Sequence, residues 1–337
     1  MITDLGPSAE QIQSMRRNVM KHVEDRSLSR ERTRRPRRVS AQRIGLIALG
    51  AGVLAAALVV TSVIMPGGTK VGTAANAAEF LGTAAVTTLH SSDPTPGPGQ
   101  YLRVSTNAVD LVDATPQGST TTLAWLDPST IVVYIPADRS GKWIQERHNL
   151  RPTTFFGDSE KLAMQNFEGI QKSPAMEGII RENGGAFYET LAPGQKVAQE
   201  YDVEKLPRDP GALRDYFYNS YVGGSASIDE NVWKRMTELL RTPGLSAGLR
   251  APLYKAMALV PGVKIIDSDV NVNGHTGVAL GRTDPARPSM SLEVIIDPST
   301  GLLIGERMVN LVKDGAIPAG TNISWTAIET DVVDSAP

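Results

Sequence analysis

Residues 263–281 read VKIIDSDVNVNGHTGVALG. Apolar and polar residues alternate on both sides of Asn273-Gly274, and Asn-Gly suits a type I′ turn because both of its central residues take positive φ. The stretch predicts a hairpin of Val263–Val272 and His275–Gly281. Working toward the C-terminus, Ser289–Ile296 and Leu302–Val309 flank the turn Asp297-Pro298-Ser299-Thr300-Gly301 and predict a second hairpin. Ile323–Val333 alternates as a final strand.

Working the other way, the segment before the hairpin is helical in pattern. Ala247–Leu259 and Asp229–Arg241 predict a helical pair joined through Thr242-Pro243-Gly244, with Pro261-Gly262 ending the second helix. Asp209-Pro210 opens a helix through Tyr218, since proline is tolerated in the first helical turn. Ser159–Gln171 predicts another. Further upstream, Tyr101–Ser105 alternates. Thr120–Leu126 and Ile131–Ile135 predict a hairpin about Asp127-Pro128-Ser129-Thr130, and the turn Asp138-Arg139-Ser140-Gly141 leads to Lys142–Glu146. Ala74–Thr88 predicts a helix with Ala78, Leu81 and Ala85 on one face, ended by the breakers Pro94, Pro96, Gly97, Pro98 and Gly99. Sheet, helices, sheet gives an α+β domain over 74–337: an antiparallel, curved sheet packed with helices, its sheet parts at about 100–157 and 263–334 and its helical middle at about 158–262.

Ahead of this domain, after a linker at 66–73, stands Ile44–Met65, IGLIALGAGVLAAALVVTSVIM, 22 residues without a charge. At ~1.5 Å per residue it spans a ~30 Å hydrocarbon layer as a helix. Arg34, Arg35, Arg37, Arg38 and Arg43 crowd its N-terminal side, whereas Lys70 is the nearest base on the other. Positive charge stays inside, which predicts a single-pass membrane protein with residues 1–43 cytoplasmic and the large domain outside. Residues 1–43 hold eleven Lys/Arg and five acids, net +6, and the remainder nets −8 out of a total of −2. That asymmetry fits two different surroundings. The rival reading is a signal peptide cleaved near Ala75-Asn76-Ala77. A 43-residue basic lead and a run beyond the usual ~7–15 apolar residues argue against it.

Within the tail, Ser8 and Gln11 fit a capping box, and the helix they start carries Ile12, Met15, Val19 and Val23 on one stripe. The stripe is a candidate contact for a cytoplasmic protein, although a short isolated helix has little stability of its own. The basic run Ser27–Arg38 directly precedes the apolar segment, so membrane lipid rather than nucleic acid is its expected partner.

No constellation points to an enzyme. The absence of cysteine excludes disulfides, Cys-ligated zinc and a Cys nucleophile. Gly244-Leu245-Ser246-Ala247-Gly248 matches G-x-S-x-G, but a helix rather than a strand precedes it, so an interhelical turn is expected. Asp269–Gly274 begins like a calcium loop, but Leu280 stands where the bidentate Glu belongs, so hairpin surface polarity is expected. His22, His90, His148 and His275 are scattered, and Trp125, Trp143, Trp233 and Trp325 are expected in the core or on a sheet face. Neither metal nor cofactor is expected.

The basic tail and single apolar run, Ala74–Leu81 (AANAAEFL), Gly99-Gln100-Tyr101, Leu206-Pro207-Arg208-Asp209-Pro210, Leu253-Tyr254-Lys255-Ala256, Leu259–Val263 (LVPGV), Asp297-Pro298 and Thr300-Gly301 together make the chain resemble a family. Its members are uncharacterised actinobacterial membrane-anchored proteins often encoded beside extracytoplasmic-function sigma factors. The resemblance implies an anti-sigma-like role by association. It supplies no catalytic residue. The outer part is also similar to periplasmic sensor and lipoprotein-carrier domains, in which a half-barrel sheet surrounds helices. Two departures stand out: a 43-residue tail is short for a sigma-binding helical bundle, and His22 has no Cys partner for zinc. The resulting expectation is a membrane-anchored extracytoplasmic sensor or regulator, with a sigma factor at the tail and an envelope ligand or protein at the outer domain. The alternative is a tethered envelope lipid- or peptide-carrier without a signalling role.

Overall fold

The computed structural model describes residues 74–116, 119–172, 177–187 and 202–337. The tail stripe Ile12, Met15, Val19 and Val23, the arginines 34, 35, 37, 38 and 43, and the apolar run Ile44–Met65 lie outside them. Among the described residues no helix is long and apolar enough to cross a membrane.

The described chain is α+β. The elements are α1 (Ala74–His90), β1 (Tyr101–Ala114), β2 (Leu123–Pro136), β3 (Lys142–Asn149), β4 (Thr154–Phe156), α2 (Glu160–Gln171) and β5 (Gly178–Asn183), then α3 (Pro210–Asn219), α4 (Ile228–Leu240) and α5 (Ala247–Met257), and last β6 (Lys264–Val272), β7 (His275–Asp284), β8 (Arg287–Ile296), β9 (Leu303–Asn310) and β10 (Thr321–Val333). All ten strands join one antiparallel sheet in the order β5-β3-β2-β1-β10-β9-β8-β7-β6, with β4 alongside β2. The last strand therefore pairs with the first, from Tyr101↔Val333 to Asp110↔Ser324, and this seam makes one domain of the two strand-rich parts.

The helix starts follow local chemistry. Asp209 caps α3 by accepting from the Ala212 amide at 2.9 Å, with Pro210 just inside the helix, and Ser227 caps α4 by accepting from the Glu230 amide at 3.1 Å. Helix α1 buries Ala77, Leu81, Ala84, Ala85 and Thr88, a stripe of mostly small side chains that lets it lie close against α5. Ala78, expected on that stripe, faces out: the inward face runs through Ala77 instead. One core joins α1, α3, α4 and α5 to the same face of the sheet at Val278, Leu280, Val294, Ile296 and Leu303.

On the opposite face, Val270, Val272, Ala279, Ile295, Ile304 and Ala327 form a second buried cluster. The sheet curls over it. Edge strand β6 is displaced by bulges between Ile265 and Val270, and its Val272 comes within 3.5 Å of where a Gly305 Cβ on β9 would stand. Asn273 reaches Glu329 on β10 at 3.2 Å. In a flat sheet with ~4.8 Å strand spacing these residues would be several strands apart. Gly277 and Gly305 permit the curl, because a Cβ on Gly277 would lie 2.6 Å from Ile295 Cγ2 and one on Gly305 2.6 Å from the Thr326 carbonyl oxygen. The curl thus closes on the face away from the helices, and side chains fill it.

Two further expectations change. The predicted hairpin at Asp127–Thr130 is continuous strand. Residues Leu123–Pro136 pair with β1 throughout, while on the other side β2 exchanges its short partner β4 (to Leu126) for β3 (from Ser129). Pro128 falls between these two partners, where no strand requires its missing N–H. The stretch expected to be the helical middle also contains β5, which extends the sheet as an edge strand beside β3.

Candidate functional site

A buried polar cluster lies where α3, α4, the β7–β8 hairpin and the turn after α5 meet. Its centre is Arg282, buried on β7. The guanidinium donates from Nη1 to Asp284 Oδ2 at 2.7 Å and from Nε to the Pro261 carbonyl at 3.1 Å, and Nη2 stands 3.9 Å from Asp229 Oδ2. Asp284 also accepts from Ser227 Oγ and from the Ala286 amide, so the two-residue tip Pro285-Ala286 is tied to the N-terminus of α4. Tyr218 Oη donates to Asp229 Oδ1 at 2.7 Å. Glu230 accepts from the Ala226 amide at 2.7 Å and faces Arg287 Nη2 at 3.5 Å. Asn231 Nδ2 holds the Gly223 carbonyl at 3.3 Å and so fixes the α3–α4 loop.

The electrostatics follow from this wiring. Burial pushes the Asp284 carboxyl up, but hydrogen bonds from Ser227 and Arg282 outweigh it and hold the group below its ordinary range. Burial first, and the bond to Asp229 second, raise the Tyr218 phenol. Three carboxylates and two guanidiniums therefore face one another, with Arg287 Nε buried and without a hydrogen-bond partner among the described residues. The Ser227 hydroxyl is engaged as a helix cap and as a donor to Asp284. The cluster is built to lock five segments together, and it presents no activated nucleophile.

Other ionic sites lie apart from it. Glu293 and Arg307 pair at 2.5 Å beneath the curl, both buried. Arg250 docks the end of α1 to α5 by donating to Thr88 Oγ1 and the Leu245 carbonyl, each at 2.6 Å, and to Asp93. His148 lies between Glu146 (2.9 Å) and Glu177 (3.0 Å), and these bonds raise its pKa. Each ring nitrogen serves a different glutamate, so the three groups do not converge on one point. Glu306, 14% exposed on β9, has Arg241 Nε at 3.5 Å and one carboxylate oxygen without a hydrogen-bond partner among the described residues. Burial raises its pKa to about 7, against the lowering effect of Arg241.

The sequence candidates fall where their plainer readings placed them. Ser246 stands at the N-cap of α5 in the interhelical turn. Asp269–Gly274 belongs to the β6–β7 hairpin: Val270 and Val272 are buried, and Asn273 and Gly274 take φ of 49° and 88° as a type I′ turn requires. Trp125 and Trp233 are core residues, while Trp143 lies under the Arg139 guanidinium, 5.2 Å from its ring centre. Among the described residues no group of three His, Cys, Asp or Glu side chains is placed to hold a metal. The Arg282 cluster was not anticipated. Its only trace in the sequence is that charges interrupt an otherwise apolar strand at Arg282 and Asp284, just before Pro285.

No family model and no curated protein matches the chain. Among solved structures it matches a chain of the Pseudomonas aeruginosa MucA/MucB complex at 10% identity and a TM-score of 0.25, covering 78% of this chain and 58% of that one. It also matches a LolA-superfamily protein from Nitrosomonas europaea at 8% identity and a TM-score of 0.19, covering 77% and 94%. The protein thus spans little more than half of the MucA/MucB chain. At these scores neither likeness assigns a function.

Proposed function

We propose that the protein is a membrane-anchored regulatory binding protein: an extracytoplasmic domain that recognises a partner protein through its surface, joined by Ile44–Met65 to a cytoplasmic tail that contacts a sigma factor through Ile12, Met15, Val19 and Val23. The single observation that carries the choice over a tethered lipid or peptide carrier is packing. The apolar residues on both faces of the C-terminal half of the sheet are already engaged, with helices on one side and the filled curl on the other. A carrier needs an enclosed apolar space of several hundred Å³, and the hollow of about 530 Å³ at Pro98–Tyr101 and Pro136–Asp138 is open to solvent. The +6 tail and −8 remainder on either side of an uncharged run support the anchored arrangement.

Two measurements test the reading. Capture with residues 1–43 should recover a sigma factor, and substitution of Val19 and Met15 by Asp should abolish the capture. Recovery of none, together with unchanged sigma-dependent transcription in a deletion strain, contradicts the regulatory role. Organic extraction of the purified protein after delipidating chromatography should yield no stoichiometric acyl chain; one lipid per protein restores the carrier.

A further inference from the structure

Helices α1 and α5 run antiparallel. Arg250 in the first turn of α5 bonds Thr88 near the end of α1, and Tyr254 bonds the carbonyl of Gly301, which lies against Ala84 and Thr88. The end of α5 and the turn Ala258–Val263 therefore lie beside the start of α1. Arg282 holds the Pro261 carbonyl of that turn and, through Asp284 and Ser227, the β7–β8 tip and the start of α4. All these segments share the end of the domain at which α1 begins.

That end carries exposed apolar side chains. Val222 is 96% exposed, Leu259 46% and Ile228 37%, with Pro261 and Pro285 exposed beside them. Val222 projects from a sharp turn made by Gly223 and Gly224 at φ of 99° and 90°, and Asn231 fixes that turn. Meanwhile the three acids of the cluster, Asp229, Glu230 and Asp284, point inward to Tyr218, Arg282 and the Ala226 amide. Lys255 on α5 is exposed near the same end. Exposed apolar side chains also occur elsewhere, at Val86 and Leu89 among others, but Val222, Ile228 and Leu259 are carried by segments that the Arg282 cluster holds together, which makes this end a candidate contact surface.

Chain length says which surface. Eight residues separate Met65 from Ala74, a span of at most about 30 Å when fully extended. We infer that this end of the domain rests in the headgroup layer of the bilayer that holds Ile44–Met65, with Val222, Ile228 and Leu259 as its insertion points. The inference rests on the anchored reading above. Shallow burial of apolar side chains beside a basic residue suits an anionic interface. It also fixes the orientation of the domain, presenting the opposite end to the envelope.

The chain has no cysteine, so single cysteines can be labelled with an environment-sensitive dye in the full-length protein. Val222→Cys and Leu259→Cys test the rim. Leu89→Cys, also an exposed apolar residue (56%) but about 22 Å further along α1 from Ala74, is the control. Ser62→Cys reports on the anchor. In proteoliposomes of phosphatidylcholine with a minority of phosphatidylglycerol, headgroup spin-labelled lipid should quench the Val222 and Leu259 dyes several-fold more than the Leu89 dye. Mid-chain spin label should quench the Ser62 dye. Equal, weak quenching at positions 222, 259 and 89 with Ser62 quenched overturns the inference and leaves the anchor standing. An unquenched Ser62 dye removes the anchor and the inference with it. A blue-shifted but unquenched Val222 dye means that protein, such as a second copy, covers the rim, and also overturns it.

Discussion

Ile131 and Gly301 follow the same tetrapeptide, Asp-Pro-Ser-Thr, and the two sites fold differently. At 297–300 the Asp297 carboxylate accepts from the Ser299 amide and hydroxyl and from the Thr300 hydroxyl, and Gly301 closes the turn at φ 67°. β-branched Ile131 cannot adopt that conformation cheaply, and the chain stays extended. Gly301 has a second constraint, since a Cβ there would lie 2.8 Å from the Ala84 carbonyl and 2.9 Å from the Thr88 amide. Gly301→Ala should therefore destabilise the protein by roughly 2–4 kcal/mol. Gly274→Ala, at φ 88° but with nothing within 4 Å, should cost about 1 kcal/mol. Denaturant midpoints of the two variants check the contrast. Glu306 gives a pH prediction. Its folded pKa of about 7 exceeds the ordinary 4.5, so between these values the folded state holds more protons than the unfolded. Stability then falls as pH rises through that window, by on the order of 2–3 kcal/mol. Glu306→Gln should reduce the slope to the part that His148, whose pKa is also raised, contributes, and be the more stable protein at about pH 8, which unfolding curves at about pH 5 and about pH 8 will show.

Among the elements, legibility in the sequence tracked local signals. The Asn273-Gly274 and Asp297–Gly301 turns, the Asp209-Pro210 start and the break at Pro261-Gly262 carry their own chemistry, and the elements they bound lie within a few residues of expectation. The turn signal at Asp127-Pro128 is overridden in β2 by fourteen register pairs with β1, which no local window contains. β5 was missed because six residues, GIIREN, gain strand character only from pairing with β3. The Arg282 cluster was illegible for the same reason: Tyr218, Ser227, Asp229, Arg282 and Asp284 meet only after three helices are laid on the sheet. Arg250 tests how the first helix is fastened. Arg250→Met leaves a partly buried Asp93 without its cation, held only by the Ala247 amide, and cuts the bond to Thr88, so it should cost roughly 2–3 kcal/mol. Amide hydrogen exchange should quicken first in the last two turns of α1, while β8 and β9 keep their protection. Uniform loss across the domain would show that α1 does not move as a separate unit.

At the scale of the molecule, the β1–β10 seam ties the strands that follow α1 to those at the C-terminus, and the helices α3–α5 are inserted between them in the chain. The seam joins the N-terminal strands to the half of the sheet on which α1 packs, and α1 is the described element nearest the apolar run. That connection gives the proposed regulator a physical path from an envelope contact to the anchor, and the bilayer-facing rim gives it a fixed orientation. All of this depends on the two sides of Ile44–Met65 lying in different compartments. Two single-cysteine variants read that directly, Ser27→Cys in the tail and Lys313→Cys in the exposed β9–β10 connection, probed in cells with a membrane-impermeant maleimide. The anchored topology gives labelling at 313 in intact cells and at 27 only after permeabilisation. Labelling of both or of neither before permeabilisation, or the reverse order, would contradict it.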